Sequence, residues 1–185
     1  FLQNEWKNDR WGILIGGRLD KHNMVDNVIF SPRANLRFNP TQNINLRLSY
    51  SSGFRAPQAF DEDMHIENVG GTVAMIERAK DLKEEKSQSF SASADMYHRF
   101  GAFQTNLLIE GFYTRLTDVF VLGEPYDRGD GILVKTRSNG PGAKVMGLTL
   151  EGKVAYLSIL QIQAGLTLQR SRYDEPHKWH DDAPA

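Results

Sequence analysis

The 185-residue chain contains no cysteine, which removes disulfides, thiol nucleophiles and cysteine-ligated zinc from its chemistry. It also lacks any apolar run approaching the ~18 residues that a membrane-spanning helix requires. Neither sign of charge is in excess, since 22 Lys and Arg oppose 23 Asp and Glu for a net charge of −1. That balance offers nucleic acid or a strongly acidic partner no electrostatic foothold. No Gly-x-Ser-x-Gly elbow occurs, and the 5 histidines are scattered over strands and loops. Gly70-Gly71 follows no strand and lacks a phosphate-cradling pattern, so neither hydrolytic nor nucleotide chemistry is indicated, and no enzyme is expected. The opening Phe1-Leu2-Gln3-Asn4-Glu5-Trp6 has neither the basic nor the apolar region of a signal peptide; the chain reads as an internal piece of a longer polypeptide.

What the chain does have is alternation. Ile44, Leu46, Leu48 and Tyr50 interleave with Asn45, Arg47, Ser49 and Ser51, and Leu160, Ile162, Ala164, Leu166 and Leu168 interleave with Gln161, Gln163, Gly165, Thr167 and Gln169. Successive side chains of a strand point to opposite faces, so each segment predicts a strand with one apolar and one wet face. A transmembrane barrel wall needs that pattern, and the mean hydropathy of −0.47 is compatible with it because barrel strands dilute apolar residues with polar ones. About eight strands are expected, near residues 1–6, 11–20, 28–38, 43–53, 87–98, 103–122, 132–156 and 159–172. The seventh is expected to carry a bulge at Asn139-Gly140-Pro141-Gly142, because proline cannot donate to a ladder.

The connections alternate too. Lys7–Arg10, Asn39–Gln42, Arg99–Ala102 and Leu157-Ser158 are short and rich in turn formers, whereas Lys21–Asn27, Gly53–Lys86, Gly123–Gly131 and the stretch from Tyr173 onward are long and polar. Short periplasmic turns and long outer loops are the signature of an up-and-down barrel. Trp11, Phe38, Phe103 and Tyr156 each lie beside one of the short turns on the apolar parity, where a lipid-facing aromatic girdle belongs. Tyr50 and Tyr113 lie nearer the other end. A soluble antiparallel sheet over a core is the competing architecture, but segments 43–53, 103–122 and 143–156 alternate for longer than the usual ~5–6 residues of soluble strands.

Several segments resemble the barrel of TonB-dependent outer-membrane receptors. They are Gly16-Gly17-Arg18-Leu19-Asp20 with Ser31-Pro32-Arg33-Ala34, then Leu48–Pro57 (LSYSSGFRAP), then Leu82–Ser87 (LKEEKS). The last joins Asn139-Gly140 to Val145–Glu151, similar to an "N-x-G, then G-x-E-x-E" ending in which Thr149 replaces the first acidic residue. The resemblance covers nearly the whole chain and implies an uptake receptor of roughly 22 strands around a plug. Residues 1–185 are then expected to be a partial barrel without plug domain or closing strand, not competent for transport alone, with 53–86 as a long extracellular loop. It further implies outer-membrane lipid, the plug of the same polypeptide, the TonB–ExbB–ExbD complex and a small nutrient chelate as partners, in the outer membrane of a Gram-negative bacterium.

Candidate ligand contacts gather near the long loop. Asp61, Asp63 and His65 form the densest set of oxygen and imidazole donors, able to meet calcium or iron, against the plainer reading of an acidic, solvated loop base. Arg55, ahead of Ala56-Pro57 at the mouth of its strand, either meets an anionic chelate or braces a neighbouring loop or the plug. Arg33, Arg37 and Arg47, with Asn35 and Asn45, form a lumen-facing polar stripe. Tyr126–Gly131 superficially matches a calcium loop without its downstream glutamate, and His177, His180, Asp181 and Asp182 fit an outer loop better than a metal site. Residues 73–83 have helical spacing and predict a short outer helix. No resident metal or cofactor is expected. Two other functions compete with import: a self-contained small barrel acting as adhesin or anchor, and a soluble β-sandwich that binds carbohydrate.

Overall fold

A computed structural model describes residues 1–23, 25, 27–57, 74–129, 133–157 and 159–175. All regular structure among them is β: β1 Leu2–Lys7, β2 Trp11–Asp20, β3 Ile29–Thr41, β4 Ile44–Arg55, β5 Ala74–Arg78, β6 Glu85–Phe100, β7 Phe103–Thr117, β8 Phe120–Leu122, β9 Tyr126–Asp127, β10 Leu133–Asn139, β11 Ala143–Tyr156 and β12 Leu160–Tyr173. Eight of these build one sheet in the order β1-β2-β3-β4-β6-β7-β11-β12, with every pair antiparallel. The expected all-β, up-and-down wall is therefore present. Among the described residues its edges are open: β1 pairs only with β2 and β12 only with β11.

The register turns alternation along each strand into rows across the sheet. Trp11, Phe38, Leu46, Ala94, Ile109, Leu150 and Leu166 lie opposite one another in sequence, and the next row reads Gly12, Arg37, Arg47, Ser93, Glu110, Thr149 and Thr167. Slipping any strand by one residue would exchange its two faces, so the chemistry of the rows holds the register. On the polar face, hydroxyl pairs such as Ser89–Thr114 at 3.0 Å and Thr149–Thr167 at 3.1 Å bridge neighbouring strands. On the apolar face, Leu46 and Leu48 remain 37% and 55% exposed. Among the described residues no second layer covers that row, unlike the inner face of a β-sandwich.

Three expectations need correction. The expected strand 103–122 breaks at Asp118, whose φ of 55° is left-handed and cannot continue an extended ladder. The expected bulge at Asn139–Gly142 is a full break: β10 ends at Asn139 and β11 restarts at Ala143, since Pro141 has no N–H for the ladder. The helix predicted over 73–83 is instead β5, Ala74–Arg78, followed by a turn closed from Leu82 N–H to the Ala79 carbonyl at 3.2 Å. A helix that short is marginal alone, whereas β10 offers β5 a parallel ladder from Leu133–Ala74 to Arg137–Arg78.

β5, β10 and β8 form a second, small sheet, with β9 paired to β10. It lies at the long-connection end of the wall, and its Val134 has 0% exposure. At the same end Val25, Ile29 and Ala56 are buried together against Phe54. Close packing is thus concentrated at one rim.

Within the wall Gly147, opposite Phe112, is tightly enclosed by ring and backbone. A Cβ there would lie 2.5 Å from the Phe112 ring and 2.7 Å from the Leu168 carbonyl oxygen, whereas one on Gly152 would meet nothing within 4 Å. Gly147→Ala is expected to destabilise the intact gene product by about 1–3 kcal/mol through overpacking. Gly152→Ala should stay within about 0.5 kcal/mol. Thermal unfolding of the two variants measures the difference.

Candidate functional site

Arg33, Arg37 and Arg47 occupy one face of the sheet. Arg37 lies directly opposite Arg47, and Arg33 lies opposite Ser51. Like charges facing each other across strands repel, so each guanidinium is steered by a neighbour. Arg47 Nε donates to Asn45 Oδ1 at 2.7 Å, and Asn45 Nδ2 donates to Asn39 Oδ1 at 2.7 Å. Arg33 donates to Gln3 Oε1 and stands 4.9 Å from the Phe1 ring centroid. Arg37 lies along Gly12, where an added Cβ would come within 3.3 Å of its Nε. That Nε is buried without a hydrogen-bond partner among the described residues.

On the opposite face the aromatics cluster beside the short turns. Trp11 stacks on Phe38 at 4.2 Å between ring centroids, and Tyr156 meets Phe103 at 5.0 Å. Phe100, which sequence reasoning assigned to a turn, extends β6 and stacks on Phe103 at 5.4 Å. At the other end of this face Tyr50 contacts Phe90 at 4.7 Å.

Arg55 sits at the rim and is committed there. Its Nη2 donates to Glu85 Oε2 at 3.1 Å, and its guanidinium stands 4.9 Å from the Phe120 ring. The same Glu85 oxygen accepts the Phe120 N–H at 3.1 Å. These contacts join the end of β4 to the starts of β6 and β8. Asp61, Asp63 and His65 lie outside the described residues, as do His177, His180, Asp181 and Asp182. In the segment 126–131, Asp127 Oδ1 accepts the Gly129 N–H at 2.7 Å and β9 pairs with β10; residues 130 and 131 are not described.

The residue that organises the rim was quoted in the sequence but given no role. Asn139 Oδ1 accepts the Lys83 N–H at 2.8 Å, while its Nδ2 donates to the carbonyls of Lys83 at 3.1 Å and Asp118 at 2.8 Å. One amide thereby imitates a strand neighbour for the segment entering β6 and fastens it to the breaks before β8 and β11. The segments 48–57, 82–87 and 139–151 are far apart in the chain, yet Arg55, Glu85 and Asn139 belong to one clasp. The signal available beforehand was an asparagine before Gly-Pro-Gly, a position that needs a side-chain partner for backbone that cannot pair.

Glu84, buried beside this clasp, is 3.0 Å from Lys86 Nζ. Burial works to raise its pKa, but the Lys86 hydrogen bond, a backbone hydrogen bond and the charges of Lys86 and Lys83 outweigh it and hold the carboxyl below its ordinary value. A depressed carboxyl stabilises the fold above the unfolded-state pKa and loses that contribution as pH falls through the folded value. Glu84→Gln should therefore flatten the stability–pH curve on the acid side of about pH 4.5. Melting scans between neutral and acid pH read this out. Asn139→Ala strands the Lys83 and Asp118 backbone groups and should cost about 1–3 kcal/mol. Hydrogen exchange should rise together at 74–78 and 133–138, while residues 146–154 keep their protection.

Comparison with known proteins now bears on this geometry. The family model described as TonB dependent receptor-like, beta-barrel matches residues 1–184. Among solved structures, the siderophore receptor PirA from Pseudomonas aeruginosa superposes with a TM-score of 0.74 at 18% identity, covering 93% of this chain and 34% of that one. The FrpB iron transporter from Neisseria meningitidis (F3-3 variant) gives 0.66 at 17% identity, with 92% and 25% covered. The ferric enterobactin receptor PfeA gives 0.64 at 18% identity, with 88% and 25% covered. Similarity at these identities is one of fold, and the chain spans about a quarter to a third of each receptor's length. Comparison with curated proteins finds no match. Members of the matched family are transporters and not enzymes, and are outer-membrane β-barrels of Gram-negative bacteria. With a family match over residues 1–184 and a one-layer antiparallel wall whose faces differ in polarity, the chain belongs to the TonB-dependent receptor β-barrel family.

Proposed function

We propose that residues 1–185 form part of the barrel wall of an outer-membrane receptor that imports a scarce nutrient with energy delivered from the periplasm. The supporting observation is the exposed apolar row through Leu46 and Leu48, backed one residue away by the arginine row through Arg37 and Arg47. A face of that kind is stable in contact with hydrocarbon and costly in water. On this reading Trp11, Phe38, Phe103 and Tyr156 meet lipid at one membrane boundary. Arg33, Arg37 and Arg47 face the lumen, toward a plug carried elsewhere in the same polypeptide. Coupling to the TonB–ExbB–ExbD complex runs through that absent part, so this segment alone is not transport-competent.

The cargo is a ferric siderophore or a cobalamin-like chelate. Relatives of like fold include an iron transporter and siderophore receptors, which favours the ferric chelate. Residues 53–86 supply an extracellular capture loop, with Asp61, Asp63 and His65 as its candidate contacts and Arg55 as the brace at its root. The open edges β1 and β12 speak against a self-contained small barrel, and the uncovered Leu46 row speaks against a soluble sandwich.

Single cysteines at Leu46 and Arg47 of the full-length receptor test the facing. A lipid-phase maleimide should label the Leu46 site and spare the Arg47 site, and the reverse pattern would refute the assignment. Replacing residues 58–72 by a short linker should abolish binding of the ferric chelate while outer-membrane assembly persists. Retained binding would remove the loop from cargo capture.

A further inference from the structure

The apolar face does not stay apolar to the end of its strands. Arg115 on β7 lies directly opposite Lys144 on β11, which lies directly opposite Arg172 on β12. Arg170, two residues below Arg172, faces Met146, which in turn faces Tyr113. All four cations share the parity of Leu148 and Leu168, so they stand on the exposed hydrophobic side of the wall. Three like charges side by side on adjacent strands repel and call for anions. One carboxylate answers: Asp174 lies 3.1 Å from Lys144 Nζ and 3.9 Å from Arg115 Nη2. Among the described residues, Arg170 and Arg172 have no ion-pair partner.

The height of this row on the wall is informative. Tyr156, in the aromatic cluster by the short turns, ends β11, and Lys144 is the second residue of the same unbroken strand. Their separation is about 40 Å along the strand at ~3.3 Å per residue. At a strand tilt of about 45° this projects to roughly 28 Å, the thickness of a hydrocarbon core. Phe103 and Arg115 stand in the same relation on β7. The cations therefore lie one bilayer core away from the short-turn aromatics, at the headgroup level on the long-connection side.

Resting on the membrane reading proposed above, we infer that Arg115, Lys144, Arg170 and Arg172 form a binding site for the phosphorylated headgroup of an outer-leaflet lipid. The lipid's acyl chains would cover the Met146, Leu148 and Leu168 surface directly below. Guanidinium groups suit the occupant because they grip phosphate oxygens with two donors each. The row is an open surface and not a pocket, so retention depends on the lipid being anchored in the bilayer beside it. A free anion lacks that anchoring.

The test uses the full-length receptor in detergent micelles, titrated with diphosphorylated lipid A and followed by native mass spectrometry. The wild type should bind saturably, and R115Q/K144Q/R172Q should weaken binding by on the order of a hundredfold. The charge-conserving R115K/R172K keeps the charge but loses the paired donors, so it should weaken binding by roughly tenfold, less than the triple variant. Inorganic phosphate should not displace the lipid, and zwitterionic phosphatidylethanolamine should be retained equally by all variants. Undiminished lipid A binding in the triple variant, displacement by inorganic phosphate, or loss of phosphatidylethanolamine in parallel would each overturn the site. If the triple variant fails to assemble, a salt titration of the wild type decides: steep loss of lipid A with added salt supports the site, and salt-independent binding overturns it. A full-length protein that stays monodisperse without detergent would overturn the barrel reading and the site together. A detergent-dependent receptor with unaltered lipid A affinity in the variant would overturn the site alone.

Discussion

A sheet one layer thick has no interior, and the remaining features follow from that. Each strand of this wall relies on its two neighbours for backbone hydrogen bonds and on two different surroundings for its side chains. The cross-strand rows express the constraint: Leu46 between Phe38 and Ala94 on one side, Arg47 between Arg37 and Ser93 on the other. In a bilayer an unpaired backbone group has no water to turn to, which makes an unbroken ladder the condition for crossing at all. The ladders of β6, β7, β11 and β12 run without a register shift, and the irregular backbone lies beyond their ends.

The rim uses a different economy of structure. Above the breaks at Asp118 and Gly140–Gly142 the chain leaves the wall, and side chains take over the role of strand partners. Asn139 pairs with the backbone of Lys83 as a strand would, and Glu85 serves Arg55 and Phe120 with one oxygen. The result ties the long β4–β6 connection to the β8–β10 hairpin, and the parallel β5–β10 ladder extends that joint. This gives a physical account of why three distant sequence segments resemble the family in company.

Much of the wall was legible in the sequence because period-two alternation encodes face, and face encodes register. Arg33, Arg37 and Arg47 share one parity and Trp11, Phe38, Phe103 and Tyr156 the other, as alternation along each strand requires. The rim was not legible. Nothing local in Ala74–Arg78 prefers a strand, and only the open edge of β10 makes it one. Asp118 carries no sequence mark of its left-handed backbone. Arg55 admits two roles, since an arginine before Ala-Pro is equally suited to a ligand or a carboxylate, and its pairing with Glu85 is visible only in the fold.

Composition and alternation, read alone, were sufficient for the class of fold, the strand count of the wall and the polarity of its faces, because those depend on neighbours two residues apart. Three things depended on tertiary contact: the clasp at Asn139, the conversion of an expected helix into β5, and the alignment of Arg115, Lys144 and Arg172 in one row. Each joins residues tens of positions apart in the chain, and no local periodicity records which strand will lie beside which, or at what register.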